Sequence, residues 1–423
     1  MKRFKVSACL LISLFLNNYV WAQTSLVDEF QSMKVQFEEM QKRMGELEQK
    51  VNVQEEEIKG HKKVEQAYEN KIQQLEQELA NQSGNVASPA VRNPVAKWNP
   101  EIGAVADIVL KTGGEKEDVN DANHVSVREV ELVLGSAVDP FSRLDATISF
   151  SDSEDPSLEE AYLTRFNLPW ETTARVGKFK PRVGKALGVH RDSLDTVDEP
   201  LVIQRYFGVE GMSKAGVDFV KTLNLPWPSA HQVVLGVLEG GSGEDGTAFG
   251  DSKRRPTVYS HLKNYVDLTD STGLELGFSQ MAGSQDDDKS FTVQIIAADA
   301  TLTQQLNAAQ TLKLQGEVFN LNRRETVDFD GNLIGSYGLL DFRFHPQWAT
   351  GFRYDYVDIV GNDRTVNPDK ADRAYTAYLT FYQSELARWR IQATHTERIT
   401  DTDDDQVLIQ GTFAIGEHKH KIQ

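Results

Sequence analysis

Short segments in which apolar and polar residues alternate fill the chain from Trp98 to its end. In one of them, QWATGFRYDY, Phe352 and Tyr354 fall on one face of an extended strand. Arg353 and Asp355 fall on the opposite face, because successive side chains of a strand point to opposite sides. We count about sixteen such segments, most of them close to the 9–11 residues that a tilted membrane strand needs. The pattern predicts an all-β fold whose strands each have one apolar and one polar face.

The connections between these segments are alternately long and short. The long ones are residues 112–123, 151–157, 181–212, 240–256, 283–290, 322–335, 360–373 and 399–406. The short ones include VDP, NLPW, NLPWP, DLTDST, FHPQW and QSEL. Because bacterial outer-membrane barrels have short periplasmic turns and longer extracellular loops, residues 97–423 are predicted to form an antiparallel transmembrane β-barrel of about 16 strands. A soluble secreted β protein is the alternative, but its core would not accept the polar faces.

Tryptophan stands at the end of three short turns. Trp170 and Trp227 end the two copies of NLPW, and Trp348 ends FHPQW. An indole ring is stable where one side is apolar and the other is wet. Aromatic girdles of this kind mark the membrane–water interfaces of barrels. We therefore expect these three rings to lie at the periplasmic interface.

The first residues have the features of a secretory signal peptide. Lys2, Arg3 and Lys5 precede a short apolar run, which small residues follow. Residues 1–22 are therefore predicted to be removed on export. The single cysteine, Cys9, lies within this segment. The exported chain is then expected to contain no disulfide.

Residues 24–80 carry a heptad repeat, in which apolar side chains are spaced alternately three and four residues apart. The seam consists of Phe30, Met33, Phe37, Met40, Met44, Leu47, Val51, Ile58, Ile72, Leu75 and Leu79. Such a repeat predicts an α-helical coiled coil, which we expect to lie in the periplasm. Residues 81–96 are predicted to be a flexible linker to the barrel. The mixed seam residues do not decide between a dimer and a trimer.

Composition limits the partners and the chemistry. The formal net charge of −18 argues against nucleic acid as a partner, because phosphate contacts require clustered Lys and Arg. No motif typical of a hydrolase or a metalloenzyme is present, so we expect neither enzymatic activity nor a cofactor. His190, His418 and His420 lack the ligand spacing of a zinc site, and no metal is expected.

Five stretches of the barrel region carry a resemblance to a known family. They are VREVELVLGSAVDPFSRLDATISFSD, LEEAYLTRFNLPW, ARVGKFKPRVGK, DEPLVIQRYFGVEGMSKAGVDFV and GTFAIGEHKH. Together they resemble outer-membrane porins of the phosphate-selective porin O/P type. The resemblance implies a trimeric, water-filled barrel through which small solutes pass without energy coupling. Phosphate-selective members have basic pore linings, whereas this chain is acidic, so the resemblance leaves the solute open.

The longest connection, residues 181–212, is the third long loop, which in general porins folds into the barrel and narrows it. Its carboxylates are predicted to face basic wall residues at a pore constriction. The loop carboxylates are Asp192, Asp195, Asp198 and Glu199, and the wall residues are Arg175, Lys178, Lys180 and Arg182. Alternation assigns to the lumen Arg353, Arg388, Arg390, Lys313, Glu317, Asp341 and Arg343. Opposed charges would order water and reject apolar solutes. The alternative is that the loop charges are solvated at the surface.

The sequence thus predicts a porin of the bacterial outer membrane, a passive channel for small hydrophilic solutes or ions. Its expected partners are outer-membrane lipid, the solutes or ions, and further copies of itself in a homotrimer. The alternative is a structural barrel that the coiled coil tethers to peptidoglycan, with little transport. A helix of about 55 residues would span roughly 80 Å at 1.5 Å per residue, which is long enough for such a tether.

Overall fold

The computed structural model describes residues 100–113, 124–152, 155–225, 229–241, 247–250, 255–285, 291–326, 329–360, 371–399 and 403–416. The predicted signal peptide, the coiled coil with its seam and the linker lie outside these residues, as do Trp227, His418 and His420. Among the described residues, no helix combines the length and the apolar character needed to span a membrane. That finding concerns helices alone.

Sixteen strands in the described part of the chain form one closed antiparallel sheet. They are β1 Glu101–Gly113, β2 His124–Asp139, β3 Ser142–Phe150, β4 Ser157–Leu168, β5 Thr172–Phe179, β6 Lys214–Leu223, β7 Ala230–Leu238, β8 Thr257–Thr269, β9 Thr272–Ser284, β10 Thr292–Asn307, β11 Gln310–Thr326, β12 Phe329–His345, β13 Trp348–Val357, β14 Asp372–Ser384, β15 Ala387–Glu397 and β16 Asp404–Gly416. Neighbours in the chain pair with each other, and β1 pairs with β16, where Asp107 lies opposite Thr412. Closure leaves no unpaired edge. The predicted sixteen-stranded antiparallel barrel is confirmed.

The two faces of the strands differ in polarity, as the alternation predicts. On β13, Arg353 and Asp355 are buried, whereas Tyr354 between them is exposed on the outside. On β15, Arg390 is buried and Trp389 beside it is exposed. The inward face of these strands is polar and the outward face is apolar, which is the reverse of a soluble protein.

Short connections join the strands at one end of the barrel, and most connections at the other end are longer. The prediction of a long loop at residues 322–335 was wrong. There β11 and β12 each extend over 17 residues, and just residues 327 and 328 separate them. Leu321 pairs with Leu333, and both side chains are buried. Strand pairing therefore continues through a stretch whose polar composition is typical of a loop.

The end with the short turns carries two of the tryptophans. A 3-10 turn, Pro169–Glu171, follows β4 and leaves Trp170 83% exposed. The φ angle of Trp170 is 61°, in the left-handed region that few residues other than glycine adopt. Trp348, half-buried at the start of β13, packs against Phe381 with 4.7 Å between the ring centroids. Both rings therefore lie at the end where the sequence predicts an aromatic interface.

Candidate functional site

The connection between β5 and β6, residues 180–213, lies inside the barrel and is called the inner loop below. The N–H group of Gly184 donates to the hydroxyl of Ser279 on β9 at 2.8 Å. The N–H group of Val197 donates to the side chain of Gln392 on β15 at 2.7 Å. Because β9 and β15 lie far apart in the strand order, the inner loop crosses the lumen.

Three arginines that were predicted to line the lumen hold the inner loop in place. Arg353, Arg388 and Arg390 lie on β13 and β15 and are 3%, 2% and 2% exposed. Their guanidinium groups donate, at 2.7–3.0 Å, to the backbone carbonyls of Asp192, Leu194, Thr196 and Asp198. A carbonyl that is buried away from water needs such a partner, and a guanidinium provides up to five N–H donors. These arginines therefore position the backbone of the loop.

Two loop carboxylates form ion pairs with cations of the wall. Asp195 Oδ2 lies 2.6 Å from Nζ of Lys313, and Asp198 Oδ1 lies 3.3 Å from Nη1 of Arg128. The Asp195 and Asp198 side chains are 31% and 35% exposed, so water reaches both. The loop acids thus face cations of the barrel wall, but Lys313 and Arg128 are not among the four wall residues that were predicted to face them. Lys313 was predicted as a lumen residue, whereas Arg128 on β2 was missed.

The other two predicted loop acids are buried. Asp192 and Glu199 are each 3% exposed. Burial raises the pKa of Glu199 to about 7, although nearby positive charges oppose this shift. Neither carboxylate is placed to meet a solute in the lumen, in contrast to Asp195 and Asp198.

The basic cluster on and after β5 does not face the loop acids as a group. Arg175 pairs with Asp218 at 2.6 Å, directly opposite it on β6. Lys178 lies on the outward face of β5, and its ammonium group donates to a backbone carbonyl of β4 at 2.5 Å. Lys180 donates to two backbone carbonyls of the inner loop. The pKa of Arg182 is lowered, first by burial and then by the positive charge of neighbouring Arg175. The prediction that Arg175 and Lys178 face the loop acids was wrong. Arg175 lies opposite Asp218 in the pairing of β5 with β6, and Lys178 lies on the outward face of β5.

The remaining predicted lumen residues lie on the inward faces of β11 and β12. Glu317 accepts hydrogen bonds from two N–H groups at the start of the inner loop, at 2.9 and 3.2 Å. Asp341 accepts a hydrogen bond from a tyrosine hydroxyl of β14 at 2.6 Å. The Arg343 guanidinium lies 4.2 Å from the centroid of another β14 tyrosine ring. Glu317 therefore holds the loop, whereas Asp341 and Arg343 belong to the wall.

A short helix, α1 (Leu201–Phe207), packs the inner loop against the barrel wall through apolar contacts. The ring of Phe207 meets Phe319 of β11 edge-on, with 5.7 Å between the centroids. Gly335 of β12 permits the approach, because a Cβ at that position would overlap Val202. Around α1 the lumen is thus filled by side chains. Alternation missed this contact because it assigns polar residues to the lumen, whereas the buried inward residues here are Phe319, Leu321 and Leu333.

A polar cavity of about 330 Å³ lies beside the inner loop. Lys185, Asp195 and Thr196 of the loop contribute to its lining, together with Lys313 and Arg388 of the wall. One water occupies about 30 Å³ in the liquid, so the cavity has room for about ten waters or for a small hydrophilic solute. Charges of both signs surround this space, which suits an ion or a small polar molecule.

Alternation identifies inward-facing polar residues but does not show which of them meet the inner loop. The bond from Arg388 to the carbonyl of Asp192 joins residues 196 positions apart. Such pairs depend on the angular positions of strands around the barrel, and no local pattern records them. For this reason Ser279, Gln392 and Asp355 were missed as partners of the inner loop; Asp355 accepts a hydrogen bond from the N–H group of Leu201 at 3.1 Å.

Comparisons with known proteins agree with the barrel. No family model matches the chain. An uncharacterized protein of Aquifex aeolicus (strain VF5) is 26% identical over 344 residues, which cover 72% of this chain and 71% of that protein. An anion-selective porin from Comamonas acidovorans is 8% identical with a TM-score of 0.52, covering 75% of this chain and 100% of that one. The high-pH structure of OprB from Pseudomonas putida is 10% identical with a TM-score of 0.53, covering 77% and 96%.

The likeness is one of fold. At identities of 8% and 10%, the two solved barrels share the architecture of this chain and establish nothing about its solute. The resemblance to phosphate-selective porins therefore stays a resemblance.

Proposed function

We propose that this protein is an outer-membrane porin, a passive diffusion channel for small hydrophilic solutes or ions. One observation carries the proposal: a polar cavity of about 330 Å³, lined by charged side chains of the inner loop and the wall, lies inside a barrel whose outer face is apolar. The fold that it shares with two porins supports the same function. Diffusion needs no chemical step, so we assign lining residues and no catalytic ones.

The inner loop would set the size of the solutes that pass. Phosphate is the solute that the resemblance implies, and a phosphate path needs exposed cations. The partly exposed lysines of the lumen already have acidic partners, because Lys185 pairs with Glu275 and Lys313 pairs with Asp195. We therefore favour small ions and polar solutes without phosphate specificity.

Single-channel recording in a planar bilayer with a salt gradient tests the proposal. The purified, folded protein should insert as discrete conductance steps, and the reversal potential gives the sign of its selectivity. Steps that arrive in groups of three would support the proposed homotrimer. Absence of conductance from a folded, heat-modifiable barrel would overturn the porin function.

Replacing Asp195 and Asp198 with asparagine should move the channel's selectivity toward anions. The change removes two negative charges that water reaches. It leaves Lys313 without its partner Asp195, and it leaves Arg128 paired with Asp107 alone. Rings of fixed charge set ion selectivity in this way. The reversal potential in a salt gradient measures the shift. Asp270→Asn, at an exposed short turn, is the control and should leave the reversal potential unchanged. If the wild type, the double variant and the control all gave the same reversal potential, Asp195 and Asp198 would lie outside the ion path.

The outward face is proposed to contact lipid, and two adjacent residues of β11 provide a matched test. Leu314 points outward and is 42% exposed, whereas Gln315 points inward and lines the polar cavity. Leu314→Arg should reduce the free energy of folding into lipid vesicles by about 2–4 kcal/mol, because the charge would enter hydrocarbon. Gln315→Arg should cost much less. Urea unfolding in vesicles measures both, and equal costs would argue against a lipid-facing exterior.

The close packing of the inner loop favours a second candidate function. In that case the protein is a structural barrel, tethered to peptidoglycan by its predicted periplasmic coiled coil. The arginine bonds to the loop backbone and the apolar contacts of α1 are the observations behind it. The same bilayer recording separates the two functions, because a tether needs no conductance.

A further inference from the structure

Three buried side chains converge where the inner loop lies against β2 and β4. Glu131 comes from β2, Glu159 from β4 and His190 from the loop, and they are 2%, 8% and 4% exposed. One possible metal-ligating atom from each lies within 4.8 Å of the others. Nδ1 of His190 lies 3.4 Å from Oε2 of Glu159 and 3.6 Å from Oε1 of Glu131. Two strands that are not neighbours in the sheet, β2 and β4, thus meet the inner loop at one point.

These separations suit a shared metal ion better than direct hydrogen bonds. A good N–H···O bond has a donor–acceptor distance of about 2.7–3.2 Å, and a contact at 3.6 Å is not one. Two ligands of a tetrahedral zinc ion, each about 2.0–2.2 Å from it, lie about 3.3–3.6 Å apart. The two distances from Nδ1 of His190 fall at or within this range.

The other ring nitrogen of His190 has the partner that a metal-binding histidine usually has. Nε2 lies 3.0 Å from Oε2 of Glu160. In metal sites, a ligating histidine commonly donates its second N–H to a carboxylate, which fixes the tautomer and the ring orientation. Glu160 is itself oriented, because the N–H group of Lys180 donates to its Oε1 at 2.7 Å. This arrangement directs Nδ1 toward Glu131 and Glu159.

Charged side chains surround a small cavity next to these groups. The cavity, of about 10 Å³, is lined by five glutamates and two cations. They are Glu129, Glu131, Glu159, Glu199 and Glu210, with Lys180 and Arg191. Oε2 of Glu131 is buried and has no hydrogen-bond partner within the described ranges of the chain. A buried carboxylate oxygen without a partner is costly, and a bound cation would remove that cost.

We propose that Glu131, Glu159 and His190 bind a divalent transition-metal ion that fastens the inner loop to β2 and β4. An imidazole nitrogen with two carboxylates suits Zn²⁺ and its neighbours in the first row, whereas Ca²⁺ takes oxygen ligands alone. Local spacing does not indicate this site, because its three ligands come from separate elements of the chain. The role is structural: the ion holds the loop against β2 and β4.

Zinc binding to the purified, folded full chain tests the site. The protein carries no histidine tag, and His418 and His420 are replaced by glutamine so that the tail binds nothing. After chelator treatment and dialysis against Zn²⁺, we expect about one ion per chain by elemental analysis. X-ray absorption at the zinc edge should show one imidazole and oxygen ligands. Two imidazoles around the bound zinc would overturn the site.

Four variants assign the bound zinc to these residues. His190→Gln and Glu131→Gln should abolish binding, and Glu160→Gln should weaken it about 10–100-fold, the usual effect of losing the carboxylate behind a metal-bound histidine. His395→Gln is the control: that ring is exposed and pairs with Asp405 at 2.8 Å, and its loss should leave binding unchanged. Glu131→Gln keeps the size of the side chain, so it tests the site if His190→Gln does not fold.

One rival occupant is a proton on His190. Burial lowers the pKa of this imidazole, but its contacts with the carboxylates of Glu131, Glu159 and Glu160 raise that pKa well above its usual value. An imidazolium would hold the same position among the three carboxylates without any metal. Folded wild-type protein that binds no zinc, or zinc binding that survives both His190→Gln and Glu131→Gln, would favour the proton and overturn the metal site.

Discussion

Replacing Arg388 and Arg390 together with methionine should raise the single-channel conductance several-fold. The two guanidinium groups donate to the carbonyls of Asp192, Leu194 and Thr196 in the inner loop. Methionine fills a similar volume and offers no donor. Each carbonyl left without its partner costs about 1–3 kcal/mol, and about 1.4 kcal/mol changes an equilibrium tenfold. The state in which the inner loop is bound to the wall should therefore become less populated than the state in which it is released. The released loop leaves the lumen wider.

The barrel itself should survive this double substitution. Arg390 bonds to the neutral side chains of Thr380 and Gln410, and Arg388 bonds to that of Thr412. Arg373→Met is the matched control, because the Arg373 side chain is 39% exposed in its pair with Glu397. It should leave the conductance unchanged. A folded double variant with wild-type conductance would mean that the inner loop does not restrict the path.

The alternation of apolar and polar residues predicted which side chains of a strand share a face, and the alternately long and short connections predicted the barrel. Arg353, Arg388 and Lys313 were assigned to the inward face, and the structure places them there. Alternation is informative because the lipid-facing side of each strand requires apolar side chains, whereas the lumen-facing side accepts polar ones. It failed at residues 322–335, where polar composition suggested a loop but the backbone ladder continues.

Contacts across the lumen could not be predicted, because they depend on how the chain closes in space. The sequence shows that Asp198 is acidic and that Arg128 is basic, but not that they form an ion pair. It also cannot show that Glu131 and His190 share one buried cluster. The basic residues near β5 illustrate the error that follows: proximity in sequence suggested a wall opposite the loop, whereas Arg175 pairs within the sheet.

Arg175→Met should destabilise the barrel by about 3–5 kcal/mol, the usual cost of breaking a buried ion pair from one side. Nη2 of Arg175 lies 2.6 Å from Oδ2 of Asp218, and the two side chains are 8% and 0% exposed. Tyr259 also donates its hydroxyl to this carboxylate at 2.8 Å. Without the guanidinium, the Asp218 charge stays buried beside that hydroxyl. Urea unfolding in lipid vesicles measures the loss.

Adding Asp218→Asn to Arg175→Met should recover part of the lost stability, because the second change removes the stranded charge. Arg165→Met is the matched control on the neighbouring strand. Arg165 pairs with Asp139 at 3.0 Å, but both side chains are nearly half exposed, at 44% and 46%. Breaking an exposed pair of this kind should cost about 0–1 kcal/mol. The difference in unfolding free energy lost by the two arginine variants therefore measures how well water is excluded from the wall at β5 and β6.

That difference also locates the path of the solutes. If Arg175→Met costs several times as much as Arg165→Met, water does not reach Asp218, and the open path runs along the side of Asp195 and Lys313. If the two variants cost the same, water solvates Asp218 once its partner is gone. The wall at β5 and β6 would then border the aqueous channel, and the proposed path beside Asp195 would no longer be favoured.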